Sequence, residues 1–135
     1  MTKFLKNLNL HINILNKQKK ELDSKIALFS NIIIRAFENN GKLMVIGNGG
    51  SAADSQHLTT ELTVRMSKNR IALPALALTT DTSAITAISN DYNYSKVFSR
   101  QVEALGNEED LLLSISTSGN SENIYQAIKA GKKKI

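Results

Sequence analysis

The sequence predicts an α/β protein with a parallel sheet flanked by helices. Three short apolar runs, Leu43–Ile46, Ala75–Leu78 and Leu111–Ile115, each have the pattern of a buried strand. A helical pattern follows each run, and no two-residue hairpin turn joins one run to the next. Strands that alternate with helices form parallel sheets, because a crossover is needed to bring the chain back to the same edge.

Size and composition are those of one ordinary globular domain. The chain has 135 residues, of which 41% are hydrophobic, so it is long enough to bury a core. It contains no cysteine, which excludes disulfides and thiolate metal sites. We find no secretory signal and no apolar run long enough to span a bilayer, so we expect a cytoplasmic protein without a membrane partner.

The net charge of +5 comes largely from two groups of lysines at predicted helix ends. These are Lys17, Lys19 and Lys20, and Lys132, Lys133 and Lys134. Surfaces that bind nucleic acids interleave such lysines with stacking aromatic residues, but aromatic residues make up only 5% of this chain. We therefore interpret the lysines as solvated helix ends and expect no nucleic-acid partner.

The N-terminal segment is predicted to be helical from about Thr2 to Phe37. Its apolar residues recur at helical spacing in two groups: Phe4, Leu5, Leu8, Ile12 and Leu15, then Leu22, Ile26, Phe29, Ile33 and Phe37. The polar stretch Asn16–Lys20 between the groups indicates a kink or a break. We expect residues 1–38 to be an oligomerisation segment and residues 39–135 to form the α/β domain.

The helices of the α/β domain follow from caps and apolar spacing. Ser51 has the pattern of an N-cap with Asp54 as its capping-box partner, and Ser121 is a second predicted N-cap. The predicted helices run, in chain order, from Ser51 to about Lys68, from after Asp81 to about Ser89, over Lys96–Leu105, and from Ser121 to about Lys133.

Two loops rich in glycine, serine and threonine carry the strongest functional signal. Gly47–Ser51 and Ser116–Ser121 each connect a predicted strand to a predicted helix. A helix N-terminus has free N–H groups and a positive dipole end, glycine lets the backbone approach an anion, and hydroxyls add donors. In parallel sheets, ligands lie beyond the carboxyl ends of the strands. Together the two loops predict a site for a phosphorylated small molecule, although each could also be a simple polar turn.

The first loop has other possible interpretations. Gly47-x-Gly49-x-x-Ala52 fits the dinucleotide-binding fingerprint, but the acidic residue expected about twenty positions later, at the end of the second strand, is absent. A nicotinamide-dependent oxidoreductase would rest on these glycines alone. A Walker loop is excluded because no Gly-Lys-Ser/Thr sequence follows.

His57 and Glu61 share one face of the helix predicted from Ser51 to about Lys68, because they are four residues apart. Such a pair is most often a surface hydrogen bond, but its place beside a phosphate loop opens two functional roles. Glu61 could be a general base that moves a proton between adjacent sugar carbons. Both residues could also bind zinc, which usually needs three or four protein ligands. Asn90-Asp91 is either a plain turn or a pair that binds sugar hydroxyls.

Several motifs together resemble the sedoheptulose 7-phosphate isomerases (phosphoheptose isomerases) of the SIS, or sugar isomerase, domain superfamily. In family order they are Gly47–Asp54, Gln56-His57, Glu61-Leu62, Ala77–Asp81, Asn90–Tyr92, Val97–Gly106 and Ile115–Ser121. The resemblance covers nearly the whole chain. It implies a three-layer, flavodoxin-like SIS domain in a homotetramer that acts on sedoheptulose 7-phosphate in the biosynthesis of lipopolysaccharide heptose.

The resemblance also implies roles for individual residues. The substrate would be bound by Asn48, Gly49, Gly50, Ser51, Glu61, Asn90, Asp91, Ser116, Thr117, Ser118 and Ser121, with the hydroxyls of the second loop on the phosphate. His57 and Glu61 would bind zinc. Glu61 would also be the catalytic base on an enediol route to D-glycero-D-manno-heptose 7-phosphate.

The family pattern continues beyond Ile135 with further strands, a glutamine and a histidine that complete the zinc site, and an acid/base partner. We therefore expect C-terminal strands of the fold to be missing from this chain, and little isomerase activity from these residues alone. The alternative is a non-catalytic SIS protein that binds a sugar phosphate or a replication initiator. The presence of His57 together with Glu61 argues against that alternative.

Overall fold

The structure, a computed structural model, describes residues 1–135. Its elements are, in order, α1 (Lys3–Glu38), β1 (Leu43–Gly47), α2 (Gly50–Thr63), β2 (Ala75–Ala77), α3 (Thr82–Asp91), a 3-10 helix (Tyr94–Lys96), α4 (Ser99–Leu105), β3 (Leu111–Ile115) and α5 (Glu122–Lys134). None of the helices combines the length and the apolar character that crossing a membrane requires. The predicted alternation of strands and helices is confirmed.

The sheet is parallel, as predicted, and β1 is its central strand in the order β2-β1-β3. β1 is paired with β3 along its whole length, from Leu43 opposite Leu111 to Gly47 opposite Ile115. All five residues of β1 are buried, which is typical of the middle strand of a parallel sheet. Since β1 and β3 end in register, the two loops that follow them leave the sheet side by side.

The core is built on alternate residues of β1. Met44 and Ile46 are two residues apart and so point to the same face of the sheet, where both are fully buried. The other buried members of this cluster come from the segments after β2 and β3: Leu78, Val97, Phe98, Val102, Ile124, Ala127 and Ala130. Burial of each large apolar side chain stabilises the fold by about 1.5–3 kcal/mol, so this cluster holds α4 and α5 against the sheet.

The chain divides into two compact units, Met1–Ile34 and Arg35–Ile135. The first consists of α1 residues, and α1 is continuous, so the break predicted at Asn16–Lys20 is absent. Asn, Lys and Gln are tolerated inside helices, and this stretch contains neither proline nor glycine to interrupt the backbone. The polar stretch interrupts the apolar pattern only. Large apolar side chains of this unit are exposed, with Phe4 at 72% and Ile26 at 61%.

The start and the end of α2 differ from the prediction. Gly49, at φ 55°, is the N-cap in place of Ser51, and no side chain caps the helix there, so Asp54 has no capping-box partner. The helix also ends at Thr63 rather than near Lys68. Arg70 explains that end, because its guanidinium donates to the carbonyl oxygens of Glu61 at 2.6 Å and Leu62 at 2.8 Å.

Two further boundaries are corrected by the structure. Asn90 and Asp91 lie in the last turn of α3 rather than in a separate turn. The helix predicted over Lys96–Leu105 is divided into the 3-10 helix and α4. Ser121 is the N-cap of α5 as predicted, but its side chain makes no capping hydrogen bond.

Candidate functional site

The site lies beyond the carboxyl ends of β1 and β3, where the first loop, Gly47–Ser51, and the second loop, Ser116–Ser121, run next to each other. The first loop turns sharply at Gly47. A Cβ atom there would lie 2.4 Å from the carbonyl oxygen of Ser51, so only glycine lets the chain enter α2 so closely. Gly49 has a positive φ that other residues rarely adopt, whereas a Cβ at Gly50 would meet nothing within 4 Å.

Asn48 connects the first loop to the start of α5. Its Nδ2 donates to Asn123 Oδ1 at 2.9 Å, and Asn123 Nδ2 donates back to Asn48 Oδ1 at 2.8 Å. The hydroxyl of Tyr94 donates to the same Asn48 oxygen at 3.0 Å. These bonds join the segments that follow β1 and β3, and they bring in the 3-10 helix that begins at Tyr94.

The second loop is partly ordered by its own hydroxyls. Ser116 Oγ accepts a hydrogen bond from the N–H of Gly119 at 3.1 Å, and Ser118 Oγ accepts one from the N–H of Asn120 at 3.3 Å. Gly119 has φ 67°, which again favours glycine. Thr117 is exposed, and the Ser121 hydroxyl is unused by the helix that it precedes. Hydroxyl donors and the backbone N–H groups of Glu122 and Asn123, at the start of α5, thus remain available to an anion.

The loop after β2 contacts the first two turns of α2. Thr79 Oγ1 lies 3.5 Å from the carbonyl oxygen of Ala52 and 3.5 Å from Gln56 Nε2. Asp81 caps α3 by accepting a hydrogen bond from the N–H of Ala84 at 2.9 Å. The polar residues at this strand end therefore support α2 and α3, and Asp81 is occupied as a cap.

His57 and Glu61 face each other on α2, with His57 Nε2 3.9 Å from Glu61 Oε1. The His57 side chain is 79% exposed and that of Glu61 26%. At a rise of 1.5 Å per residue, Glu61 lies roughly 16 Å along the helix from Gly50. The structure therefore brings these two residues to each other but leaves them two to three helical turns from the start of α2, where the first loop ends.

His57 and Glu61 carry donor atoms that suit zinc. An imidazole nitrogen and a carboxylate oxygen are donors of the kind that zinc takes, and their spacing allows both to face one ion. Catalytic zinc sites use three protein ligands, and no cluster of three or more His, Cys, Asp or Glu residues occurs in the structure. The donor chemistry of His57 and Glu61 thus fits part of a zinc site.

Asn90 and Asp91 are exposed at the end of α3, where Asn90 Nδ2 donates to Asp91 Oδ1 at 2.9 Å. Neither side chain is hydrogen-bonded to the two loops. Asp91 lines a groove between α3 and α4 together with Tyr92 and Arg100, whose guanidinium carbon lies 5.0 Å from the centre of the Tyr92 ring. Of the pair, only Asp91 lines this groove, and no residue of the two loops lines it.

Sequence reasoning missed Asn123 and Tyr94. A signal for Asn123 exists: it is four residues before Ala127 and seven before Ala130, so it lies on the apolar face of α5 that packs on the core. A polar residue on such a face must find a hydrogen-bond partner when it is buried. Tyr94 gave no such signal, because its backbone lies in an exposed 3-10 turn.

The chain is similar to known proteins along most of its length. The sequence pattern of the SIS domain matches residues 8–134. A phosphoheptose isomerase of Helicobacter pylori (strain P12) is 50% identical over 122 residues, which cover 90% of this chain and 64% of that protein. Phosphoheptose isomerase 1 of Campylobacter jejuni (strain ATCC 700819) is 48% identical over 131 residues, covering 90% of this chain and 70% of that protein.

Solved structures agree with the sequence matches. A phosphoheptose isomerase from Francisella tularensis superposes with a TM-score of 0.83 at 39% identity, and GmhA from Neisseria gonorrhoeae with 0.78 at 40% identity. Each comparison covers 98% of this chain and 71% of the other. The chain thus spans about two thirds of the length of these relatives, and only 64% of the Helicobacter protein.

Proposed function

Because this chain belongs to the SIS domain family, we propose that it acts in a sugar-phosphate isomerase reaction, the conversion of sedoheptulose 7-phosphate to D-glycero-D-manno-heptose 7-phosphate. Family membership confirms the resemblance inferred from the motifs. The substrate comes from that resemblance and from the names of relatives, which are phosphoheptose isomerases. The product would serve the synthesis of lipopolysaccharide heptose.

One observation carries the proposal: two glycine- and hydroxyl-containing loops leave neighbouring parallel strands, and the Asn48–Asn123 amide pair joins the first loop to the start of α5. In this proposal Ser116, Thr117, Ser118 and Ser121 hold the phosphate, and Asn48, Gly49, Gly50 and Ser51 contact the sugar phosphate from the first loop. A dianion at this position would receive hydroxyl and backbone N–H donors, and it would face the positive end of α5.

Glu61 is the proposed base. An aldose–ketose isomerisation moves a proton between two adjacent carbons, and a carboxylate that accepts it from one carbon leads to an enediol. Glu61 is half-buried, with a carboxylate free of any strong hydrogen bond within the chain, so it can accept a proton. Since Glu61 lies far along α2, the substrate would have to extend from the loops toward it, with Asn90 and Asp91 binding its hydroxyls.

Zinc belongs to the same proposal, with His57 and Glu61 as two of its ligands. A bound zinc ion would polarise the substrate carbonyl or hydroxyl oxygens. His57 would hold the ion through its neutral imidazole. Glu61 would both hold the ion and accept the proton. A third ligand has to come from outside this pair.

The exposed apolar side chains of α1 support a further part of the proposal, a homo-oligomer, which by family resemblance is a homotetramer. In this proposal residues 1–38 form the oligomerisation segment and residues 39–135 the SIS domain. Large apolar patches on a protein surface usually mark an interface with another protein. We place the reaction in the cytoplasm, because a charged sugar phosphate does not cross a bilayer unaided.

Calorimetric titration of the chain with sedoheptulose 7-phosphate, and with unphosphorylated sedoheptulose, tests the binding step. We expect binding of the phosphate ester only. Ser121→Ala should weaken it roughly tenfold, because a hydrogen bond to a charged group contributes about 1.5–3 kcal/mol. The unfolding free energy should change by less than about 0.5 kcal/mol, since this hydroxyl caps nothing.

Ser83→Ala is the matched control, because Ser83 is an exposed serine in the first turn of α3, outside both loops. It should leave the affinity unchanged. Equal binding of sugar and sugar phosphate, or equal losses in the two serine variants, would contradict the proposed site. A parallel assay of isomerase turnover separates the enzyme from a non-catalytic sugar-phosphate-binding protein. The non-catalytic protein would bind the phosphate ester without turnover, even with zinc added and with the chain extended by residues of a longer relative.

A further inference from the structure

We propose that Asn123 is a positioning residue that fixes the side chain of Asn48, so that Asn48 presents an N–H donor, and no acceptor, to the bound molecule. This inference rests on the proposed function, because it describes how the same site selects its ligand. Asn123 is 3% exposed and so acts through Asn48 rather than by touching the ligand.

The hydrogen bonds determine which way both amides point. Asn123 Oδ1 accepts from the backbone N–H of Ile124 at 3.0 Å, in addition to Asn48 Nδ2. A flipped Asn123 would turn its NH2 group toward that N–H, placing two donors against each other. Ile124 therefore fixes the orientation of Asn123, and the reciprocal pair of bonds then fixes the orientation of Asn48.

The same bonds use up the acceptor capacity of Asn48. Its Oδ1 has two lone pairs, and it accepts from Asn123 Nδ2 at 2.8 Å and from the Tyr94 hydroxyl at 3.0 Å. Of its two Nδ2 protons, one goes to Asn123 Oδ1. The remaining N–H is the only hydrogen-bonding group that the side chain can offer, so it suits a phosphate or other oxygen acceptor and not a hydroxyl that must donate.

The pair also fixes the distance between the two loops before any ligand arrives. Asn48 and Asn123 are 75 residues apart in sequence, and each follows a different strand of the sheet. A buried amide that loses its hydrogen-bond partner is left desolvated and unpaired, so the arrangement resists rearrangement. Groups that are already in place lose less entropy when a ligand binds.

A double-mutant cycle on sugar-phosphate affinity tests this inference. We expect Asn123→Ala to weaken sedoheptulose 7-phosphate binding roughly tenfold in the otherwise unchanged chain, but less than about twofold when Asn48 is already alanine. Tyr94→Phe, which frees one lone pair of Asn48, should weaken binding by a smaller factor. If the role of Asn123 were purely structural, Asn123→Ala would give the same loss of affinity in the wild-type chain and in the Asn48→Ala chain.

Gln101→Ala is the control for lost stability. Gln101 is also buried, at 8% exposure, and its amide donates to the carbonyl oxygens of Leu78 and Val97, away from the loops. It should destabilise the chain without a selective loss of affinity at temperatures where the variant is folded. An equal affinity loss in Gln101→Ala and Asn123→Ala would overturn the inference.

Hydrogen exchange of the side-chain amides, followed by NMR, gives a readout that needs no ligand. The Asn48 Nδ2 proton that is donated to Asn123 should exchange slowly in the wild-type chain and rapidly in Asn123→Ala, whereas the other Nδ2 proton should exchange rapidly in both. If the wild-type chain binds no sugar phosphate, the proposed function fails, while slow exchange of Asn48 still supports its fixation by Asn123. Rapid exchange of both Nδ2 protons of Asn48 in the wild-type chain would overturn the inference whatever the ligand result.

Discussion

The Asp110 carboxylate joins the start of β1 to the turn before β3. Oδ1 accepts from the backbone N–H of Lys42 at 2.9 Å, and Oδ2 accepts from the Asn107 N–H at 2.8 Å and from the ammonium group of Lys42. Burial raises the pKa of Asp110, but these hydrogen bonds from Lys42 and Asn107 outweigh burial and hold the pKa below its ordinary value of 3.8. The ionised form is therefore the one that the fold stabilises.

This shift predicts a loss of stability in acid. A carboxylate with a depressed pKa in the folded state contributes stability above its unfolded pKa of about 4, and that stability is lost as the pH falls through the lower folded pKa. Asp110→Asn should lower the unfolding free energy by about 1–3 kcal/mol at pH 7, because an NH2 group then faces donors. In urea denaturation, this difference from wild type should shrink as the pH falls from about 4 to about 2.

Glu103→Gln serves as the control for Asp110→Asn. Glu103 forms an exposed ion pair with Arg100 at 3.4 Å, and exposed pairs contribute about 0–1 kcal/mol. Its replacement should leave both the stability and its acid dependence nearly unchanged. A constant difference between wild type and Asp110→Asn from pH 7 down to acid would show that ionised Asp110 does not stabilise the fold.

Single residues were predictable where their role is local. Ser121 is at the predicted N-cap position of α5, because a helix start is set within a few residues of itself. Ser51 was wrong as an N-cap because Gly49 can adopt φ 55° and begin the helix two residues earlier. Asn123 was missed because its partner, Asn48, lies in a distant part of the sequence.

At the scale of elements, buried strands were the most predictable. The predicted Leu111–Ile115 is β3 without change, and Leu43–Ile46 differs from β1 by one residue. Apolar runs bounded by glycine or acidic turns leave few alternatives for a parallel strand. The end of α2 was not predictable, because it depends on Arg70 reaching back to the carbonyl groups of the last turn.

The first helix gives a prediction at this scale. Replacing Leu8 and Leu15 together with glutamate puts two charges on the apolar stripe of α1, where the two residues are seven apart and share one face. If this stripe is an oligomer interface, the charges should dissociate the oligomer, because unpaired buried charges cost several kcal/mol. Light scattering coupled to size-exclusion chromatography measures the mass.

Asn9→Glu with Asn16→Glu is the matched pair for this experiment. These exposed residues are each one position after the leucines, so the variant carries the same added charge at the same spacing, but turned about 100° around the helix from the leucines. The oligomer should persist in it. A wild-type chain that is already monomeric, or equal dissociation of both double variants, would refute the proposed role of α1.

At the scale of the whole molecule, the sequence predicted which loops come together better than how their side chains are arranged. Parallel strands with polar loops at their carboxyl ends require the loops to meet at one edge, and they do. The relation of these loops to the His57–Glu61 pair depends on the length of α2 and on what else contacts it. Spacing within one helix correctly predicts that the pair is together, but it does not complete a metal site.

The whole chain should therefore bind zinc weakly, and through α2. We expect His57→Ala to weaken Zn²⁺ binding by about tenfold or more in calorimetric titration, because one of two neighbouring donors is lost. Glu61→Gln should also weaken it, since an amide is a poorer zinc ligand than a carboxylate. Lowering the pH should reduce the affinity of the unaltered chain, because protons compete with the metal for both donors.

His11 provides the control, since it is the other histidine of the chain and lies exposed on α1. His11→Ala should leave zinc affinity unchanged if binding depends on His57 and Glu61. Equal affinity in all three variants would place the metal elsewhere and remove zinc from the proposed roles of α2. If only His57→Ala loses zinc binding, the imidazole is a zinc ligand and the Glu61 carboxylate is not, so Glu61 would act only as the base.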